Sequence, residues 1–98
     1  MYDTHIDRWF DERGITENSS PQTQAIKTLE EVTELLTAIQ ADDTYEIMDA
    51  VGDIYVTLRG VCKTGGLVFE DCVSQAYNEI KDRKGYLNKE GYFIKEKE

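Results

Sequence analysis

Two acidic segments joined by a short break constrain this chain more than any other feature. They are Leu29-Glu30-Glu31-Val32-Thr33-Glu34 and Glu46-Ile47-Met48-Asp49-Ala50-Val51-Gly52-Asp53. Helical residues advance about 100° each, so Glu31 and Glu34 fall within roughly 60° of each other, with Glu30 flanking. Glu46, Asp49 and Asp53 fall within a similar arc of roughly 60° by the same geometry. Each acidic stripe borders an apolar one. In the first segment this is Ile26, Leu29, Val32, Leu36 and Ile39; in the second it is Val51, Ile54, Leu58, Val61 and Cys62. The break between them, Ala41-Asp42-Asp43-Thr44, is short enough to predict antiparallel packing of the two helices.

Antiparallel packing lets the acidic stripes converge. Like charges at helical spacing repel, so such a cluster costs several kcal/mol, on the order of the pairwise helix terms summed, unless a cation neutralises it. Oxygen ligands without His or Cys suit Mg2+, or Mn2+. Clustered magnesium ions bind polyphosphate oxygens and activate a bound water, and a spare carboxylate can take that water's proton. The reaction this predicts is hydrolysis of a phosphoanhydride. A GxxxxGK[ST] loop is absent, which excludes a P-loop mechanism. Acidic residues on helices are ordinarily solvated surface; the pairing of two stripes at two core borders brings the metal reading level with that one.

The rest of the chain predicts an all-α fold in a single domain, 1–98. A first helix spans Thr4 to Glu12, with Ile6, Trp9, Phe10 and Arg13 at helical spacing, and Gly14 stops it. Ile15 to Ser19 is a connecting loop. Ser20 caps a second helix, Pro21 to Gln40, with Pro21 at its first position. A third runs from Thr44 to Thr64 and ends at Gly65-Gly66. A fourth spans Phe69 to Arg83, with Val73, Ala76, Tyr77 and Ile80 facing inward. Beyond Gly85 the segment 85–98 changes character. Tyr86-Leu87 and Tyr92-Phe93-Ile94 around Asn88-Lys89-Glu90-Gly91 predict a small β-hairpin, with Lys95 to Glu98 frayed.

Composition narrows the partners. Lys plus Arg total 11 against 20 Asp plus Glu, a net charge of −9, which opposes binding of nucleic acid through its phosphates. The basic stretch Lys81-Asp82-Arg83-Lys84 does not reverse this. Cys62 and Cys72 form no CxxC pair and, with one His, complete no zinc set. No secretory leader is visible, and no stretch approaches the roughly 18 apolar residues of a membrane span, so a cytoplasmic protein without membrane contact is expected. Ninety-eight residues give a helical fold a thin core, so self-association is expected.

At these residues the chain resembles a known family. Leu29-Glu30-Glu31-Val32-Thr33-Glu34-Leu35-Leu36 is similar to the EExxE helix of MazG-type nucleotide pyrophosphohydrolases, and Glu46 to Val56 resembles their second acidic helix in its short, phage-type variant, ExxDAxGD. The flanks Arg13-Gly14-Ile15, Ser20-Pro21-Gln22-Thr23-Gln24 and Asn78 to Gly85 look like that branch too. The resemblance covers about Ile6 to Gly85. It implies a four-helix MazG-like bundle of the all-α NTP pyrophosphatase type, assembling as a homodimer or homotetramer. It further implies magnesium-dependent cleavage of a nucleoside triphosphate between the α and β phosphates, giving the monophosphate and pyrophosphate. Carried over, Glu31, Glu34, Asp49 and Asp53 would ligate metal, and Glu30 or Glu46 would be a further ligand or the water-activating base. Many members carry Glu three residues before the Asp of the Gly-Asp step. Here that position is Ala50, so two registers of the ExxD motif remain open.

Candidate substrate contacts are Lys27, Asn78, Lys81 and Lys84 for phosphate oxygens, and Trp9 for stacking on a base. For each, a plain surface or core role is the bland alternative. Two other functions stay in view. One is a pyrophosphatase narrow for dUTP, dCTP or a modified nucleotide; the other is a non-catalytic acidic helical module that binds a protein.

Overall fold

A computed structural model describes residues 1–96. Its elements are α1 Asp3–Glu12, α2 Ile15–Asn18, α3 Pro21–Gln40, α4 Thr44–Gly65, α5 Phe69–Ile80, β1 Gly85–Leu87 and β2 Phe93–Lys95. They form two compact units, Met1–Val68 and Phe69–Glu98. The fold is mainly helical with one small antiparallel hairpin, as expected. Five helices stand where four were expected, because Ile15 to Ser19 is not a plain loop: Ile15–Asn18 forms a single helical turn. Gly14 enters it with a left-handed φ of 73°, a conformation that costs glycine least.

The first unit is built on the α3–α4 hairpin. Ser20 caps α3 by accepting a bond from the Thr23 amide at 3.1 Å, and Pro21 occupies the first turn. Asp43 caps α4 in the same way through the Glu46 amide, also 3.1 Å. The pairing is antiparallel. Pro21 lies against Gly65, Gln24 approaches Gly60, and the hydroxyls of Thr28 and Thr57 hydrogen-bond at 2.7 Å.

The seam is not the apolar stripe expected from the sequence. The residues of α3 that are buried or half-buried are Gln24, Thr28, Glu31, Leu35 and Ala38. Opposite them α4 buries Ala50, Thr57 and Gly60. Small and polar side chains let the helices come close, and most bulky apolar ones of α3 are left outside, whereas Ile54 and Val61 of the expected α4 stripe are half-buried and Cys62 is buried. Ile26, Leu29, Leu36 and Ile39 of α3 are each more than half exposed, as is Val51 of α4, and Leu58 is 40% exposed.

Helix α1 closes the other side of α4. Phe10 is its only buried residue, 2% exposed, and it lies over Gly60. A Cβ at Gly60 would stand 2.8 Å from the Phe10 ring, so this contact requires glycine. Arg59, 3% exposed, reaches Asp7 of α1 through two bonds of 2.8 and 2.7 Å and also donates to the Tyr55 hydroxyl. Asp11 and Lys63 add an outer ion pair at 3.0 Å.

In the second unit, α5 ends at Ile80 rather than Arg83, and Lys81-Asp82 forms a turn. The inward face expected for it is corrected. Val73, Ala76, Tyr77 and Ile80 are all exposed, because a unit of one helix and one hairpin has too few layers to enclose a core. The hairpin forms at the expected place, with Gly85 opposite Lys95, Tyr86 opposite Ile94 and Leu87 opposite Phe93. Asn88 shapes its turn by accepting from the amides of Glu90 and Tyr92. Lys95 is thus part of a strand rather than frayed; Lys97 and Glu98 lie outside the described residues.

Candidate metal centre and its neighbouring cavity

The antiparallel register that pairs Thr28 with Thr57 carries one turn further to bring Glu31 against Asp53. Glu31 sits in the seam itself, half-buried, and its Oε2 is buried with no hydrogen-bond partner. Burial pushes its carboxyl above the ordinary value of 4.5, and the adjacent Glu34 and the charge of Asp53 push it further, while Lys27 pulls it back. Asp53 is also half-buried. Its carboxyl is raised above 3.8, first by burial and then by Asp49, with Glu34 adding charge; the contact with Glu31 works the other way. The contact between the two seam carboxyls therefore favours the proton on Glu31.

Four of the expected ligands are thus brought together as neighbours: Glu34 with Glu31, Glu31 with Asp53, and Asp53 with Asp49. They form a chain of pairs. Among the described residues no three His, Cys, Asp or Glu side chains converge in a geometry that holds a metal ion. Glu34 and Asp49 are exposed, and rotation of their carboxylates is what convergence requires. The donor set fits magnesium in kind: oxygen only, with one buried carboxylate oxygen unsatisfied.

The other candidates stand apart from this group. Glu30 points to Lys27, whose ammonium is 2.9 Å from its carboxylate; Glu30 first, then Glu31 and Glu34, raise the lysine pKa above 10.5. Lys27 is therefore the cation beside the acidic chain. Glu46 is exposed and lines a cavity of about 310 Å3 at the turn end of the hairpin. Thr33, Glu34, Thr37 and Ala38 of α3 and Asp43 before α4 line the same cavity. Trp9 is 43% exposed, meets Phe10 edge-on at 5.2 Å and carries Arg13 over its ring at 5.7 Å. Asn78, Lys81 and Lys84 belong to the second unit and are exposed there.

Two features escaped the sequence reading. The Arg59–Asp7 pair joins residues 52 apart, and no local period links them. The threonines of the cavity, Thr33 and Thr37, stand at i and i+4, a spacing that did mark one helix face.

Comparison with known proteins adds one relative. Over 54 residues the chain is 35% identical to an uncharacterized 18.2 kDa protein from the rep-hol intergenic region of Haemophilus phage HP1 (strain HP1c1). The match takes in 55% of this chain and 33% of the phage protein, so the chain spans about a third of that relative's length. No family profile matches the chain, and no solved structure matches it. Among the described residues no helix is long and apolar enough to cross a membrane.

Proposed function

We propose that this chain is a magnesium-dependent nucleoside triphosphate pyrophosphohydrolase of the cytoplasm, working as a homodimer or homotetramer. The observation that carries the reading is the Glu31 carboxylate. It is held in a helix seam beside Asp53, with one buried oxygen unsatisfied and further carboxylates on both sides. A buried charge without a partner is expensive, and the seam could hold an apolar residue in its place. A bound cation is what makes the arrangement favourable. The resemblance of the two acidic helices to the MazG type points to the same chemistry.

Glu31, Glu34, Asp49 and Asp53 are the residues that would hold magnesium, which when bound neutralises the polyphosphate and lowers the pKa of water. Lys27, at the edge of the acidic chain, takes a phosphate oxygen in exchange for Glu30. Glu30, released by that exchange, orients the attacking water and receives its proton. The water oxygen bonds to the α phosphorus as the bond to the bridging oxygen breaks. Pyrophosphate leaves with that electron pair, and the nucleoside monophosphate remains.

The outward apolar residues of the hairpin support self-association. Ile26, Leu29, Leu36, Ile39 and Val51 lie on the helices that carry the acids, and a second copy would cover them. The test of the activity is pyrophosphate release from the common (d)NTPs with and without magnesium, beside Asp53→Asn. Release that needs magnesium and is lost in the variant supports the reading. A folded oligomer that releases none from any nucleotide, with or without magnesium, sinks it and favours an acidic protein-binding module.

A further inference from the structure

The cavity at the turn end of the α3–α4 hairpin has a chemistry of its own. Its volume, about 310 Å3, is at the small end of ligand sites. Ala38, 6% exposed, supplies an apolar floor, and Thr33, Thr37 and Ala41 line the space around it. The polar side-chain atoms around this floor are acceptors. Glu34, Asp43 and Glu46 bring carboxylates, and among the described residues no Lys, Arg or His lines the space. The threonine protons are already committed: Thr33 donates to the Leu29 carbonyl and Thr37 to the Thr33 carbonyl, each at 3.1 Å. Both hydroxyl oxygens therefore retain only acceptor capacity.

Such a cavity repels phosphate and favours a flat group that carries N–H donors. Glu34 belongs both to this wall and to the acidic chain with Glu31 and Asp53. A ligand seated here therefore has its next atoms beside those carboxylates. In a nucleotide the sugar comes next, and beyond it the 5′ carbon and the α phosphate. We propose that this cavity is the nucleobase site and that it selects bases bearing an exocyclic amino group, cytosine foremost for its size, over uracil and thymine. The inference rests on the pyrophosphohydrolase reading and names its substrate. An amino group gives its protons to Glu46 or to a threonine oxygen. The carbonyl that replaces it in uracil faces acceptors only, finds no donor among them and is repelled by the carboxylates.

The test reads binding and turnover separately. Amide shifts of the 15N-labelled protein are followed while deoxycytidine monophosphate, then deoxyuridine monophosphate, is added in magnesium. The expected result is shifts at Thr37, Ala38 and Ala41 with affinity at least about tenfold higher for the cytosine nucleotide. Thr37→Leu, which fills the space and removes an acceptor, lowers that affinity by at least about tenfold. Ala41→Leu, at an exposed position of the same wall, does so without touching the seam. Equal affinity for the two nucleotides, shifts confined to other regions, or unchanged binding in both variants overturns the proposal. The triphosphate panel run on the same protein separates the two ideas. Pyrophosphate release without cavity shifts refutes the base site alone. Cavity shifts with a cytosine preference but no release refute the hydrolase and leave the site standing.

Discussion

Helix α4 buries charge in two opposite ways within six residues. Arg59 is almost wholly enclosed, yet Asp7 meets it with two short bonds and Tyr55 stacks beside it. Asp53 and its neighbour Glu31 are half-buried among their own kind, and one oxygen of Glu31 has no partner. The first arrangement holds α1 to α4. The second weakens the hairpin that contains it. Local violations of this kind are expected at functional sites, so the contrast would separate scaffold from site if the proposed cation binds. It also gives opposite predictions for carboxylate removal in the two places.

The largest expected effect is on turnover. If the proposed function holds, Asp53→Asn should reduce magnesium-dependent pyrophosphate release by at least about a hundredfold, since it would remove a proposed ligand carboxylate. The same substitution should raise the metal-free melting temperature, because it relieves repulsion with Asp49 and Glu34. A variant that melts lower than wild type in EDTA would contradict a preassembled acidic group. Asp7→Ala should do the reverse. Arg59 would be left enclosed without its carboxylate, at a cost of about 3 kcal/mol, or a melting point lower by more than about 10 °C. Any dependence of that loss on magnesium would erase the distinction between the two charge sites.

The helices and their limits were legible because their signals are local. Ser20-Pro21 and Asp43 cap the two long helices where the sequence places them, and Gly65-Gly66 ends α4. Glu31 with Asp53 could be anticipated from helical angle and antiparallel packing. Which face of the hairpin closes on itself could not. Apolar periodicity marks a helix face able to escape water, without saying which partner, if any, covers it. The seam of Thr28, Ala38, Ala50 and Thr57 instead depends on close approach, a property that a hydropathy pattern does not encode. The outward stripe offers the next break point. Leu29→Glu with Leu36→Glu should leave the helical signal in place and lower the mass seen by light scattering to that of one chain. An unchanged mass would remove the stripe from the interface.

The smallest effect is the dependence of stability on pH, and it compares the two charge sites most directly. The folded protein holds protons on Glu31 and Asp53 more tightly than the unfolded chain does, since both carboxyls lie above their ordinary values of 4.5 and 3.8. Stability from this source is complete below those ordinary values and is lost as pH rises through the raised ones. In EDTA the melting temperature should therefore climb as the pH is lowered from neutral toward the ordinary carboxylate values. Asp11, held below 3.8 by Thr16 and then Lys63, loses its contribution only as pH falls below that value, so the two windows do not overlap. Magnesium competes with the protons and should reverse the slope, giving higher stability at higher pH. Glu31→Gln should flatten the EDTA profile, whereas Asp11→Asn should leave it intact over the same range. A metal-free melting temperature that rises with pH across this window would mean that the seam carboxylates are already compensated in the protein alone.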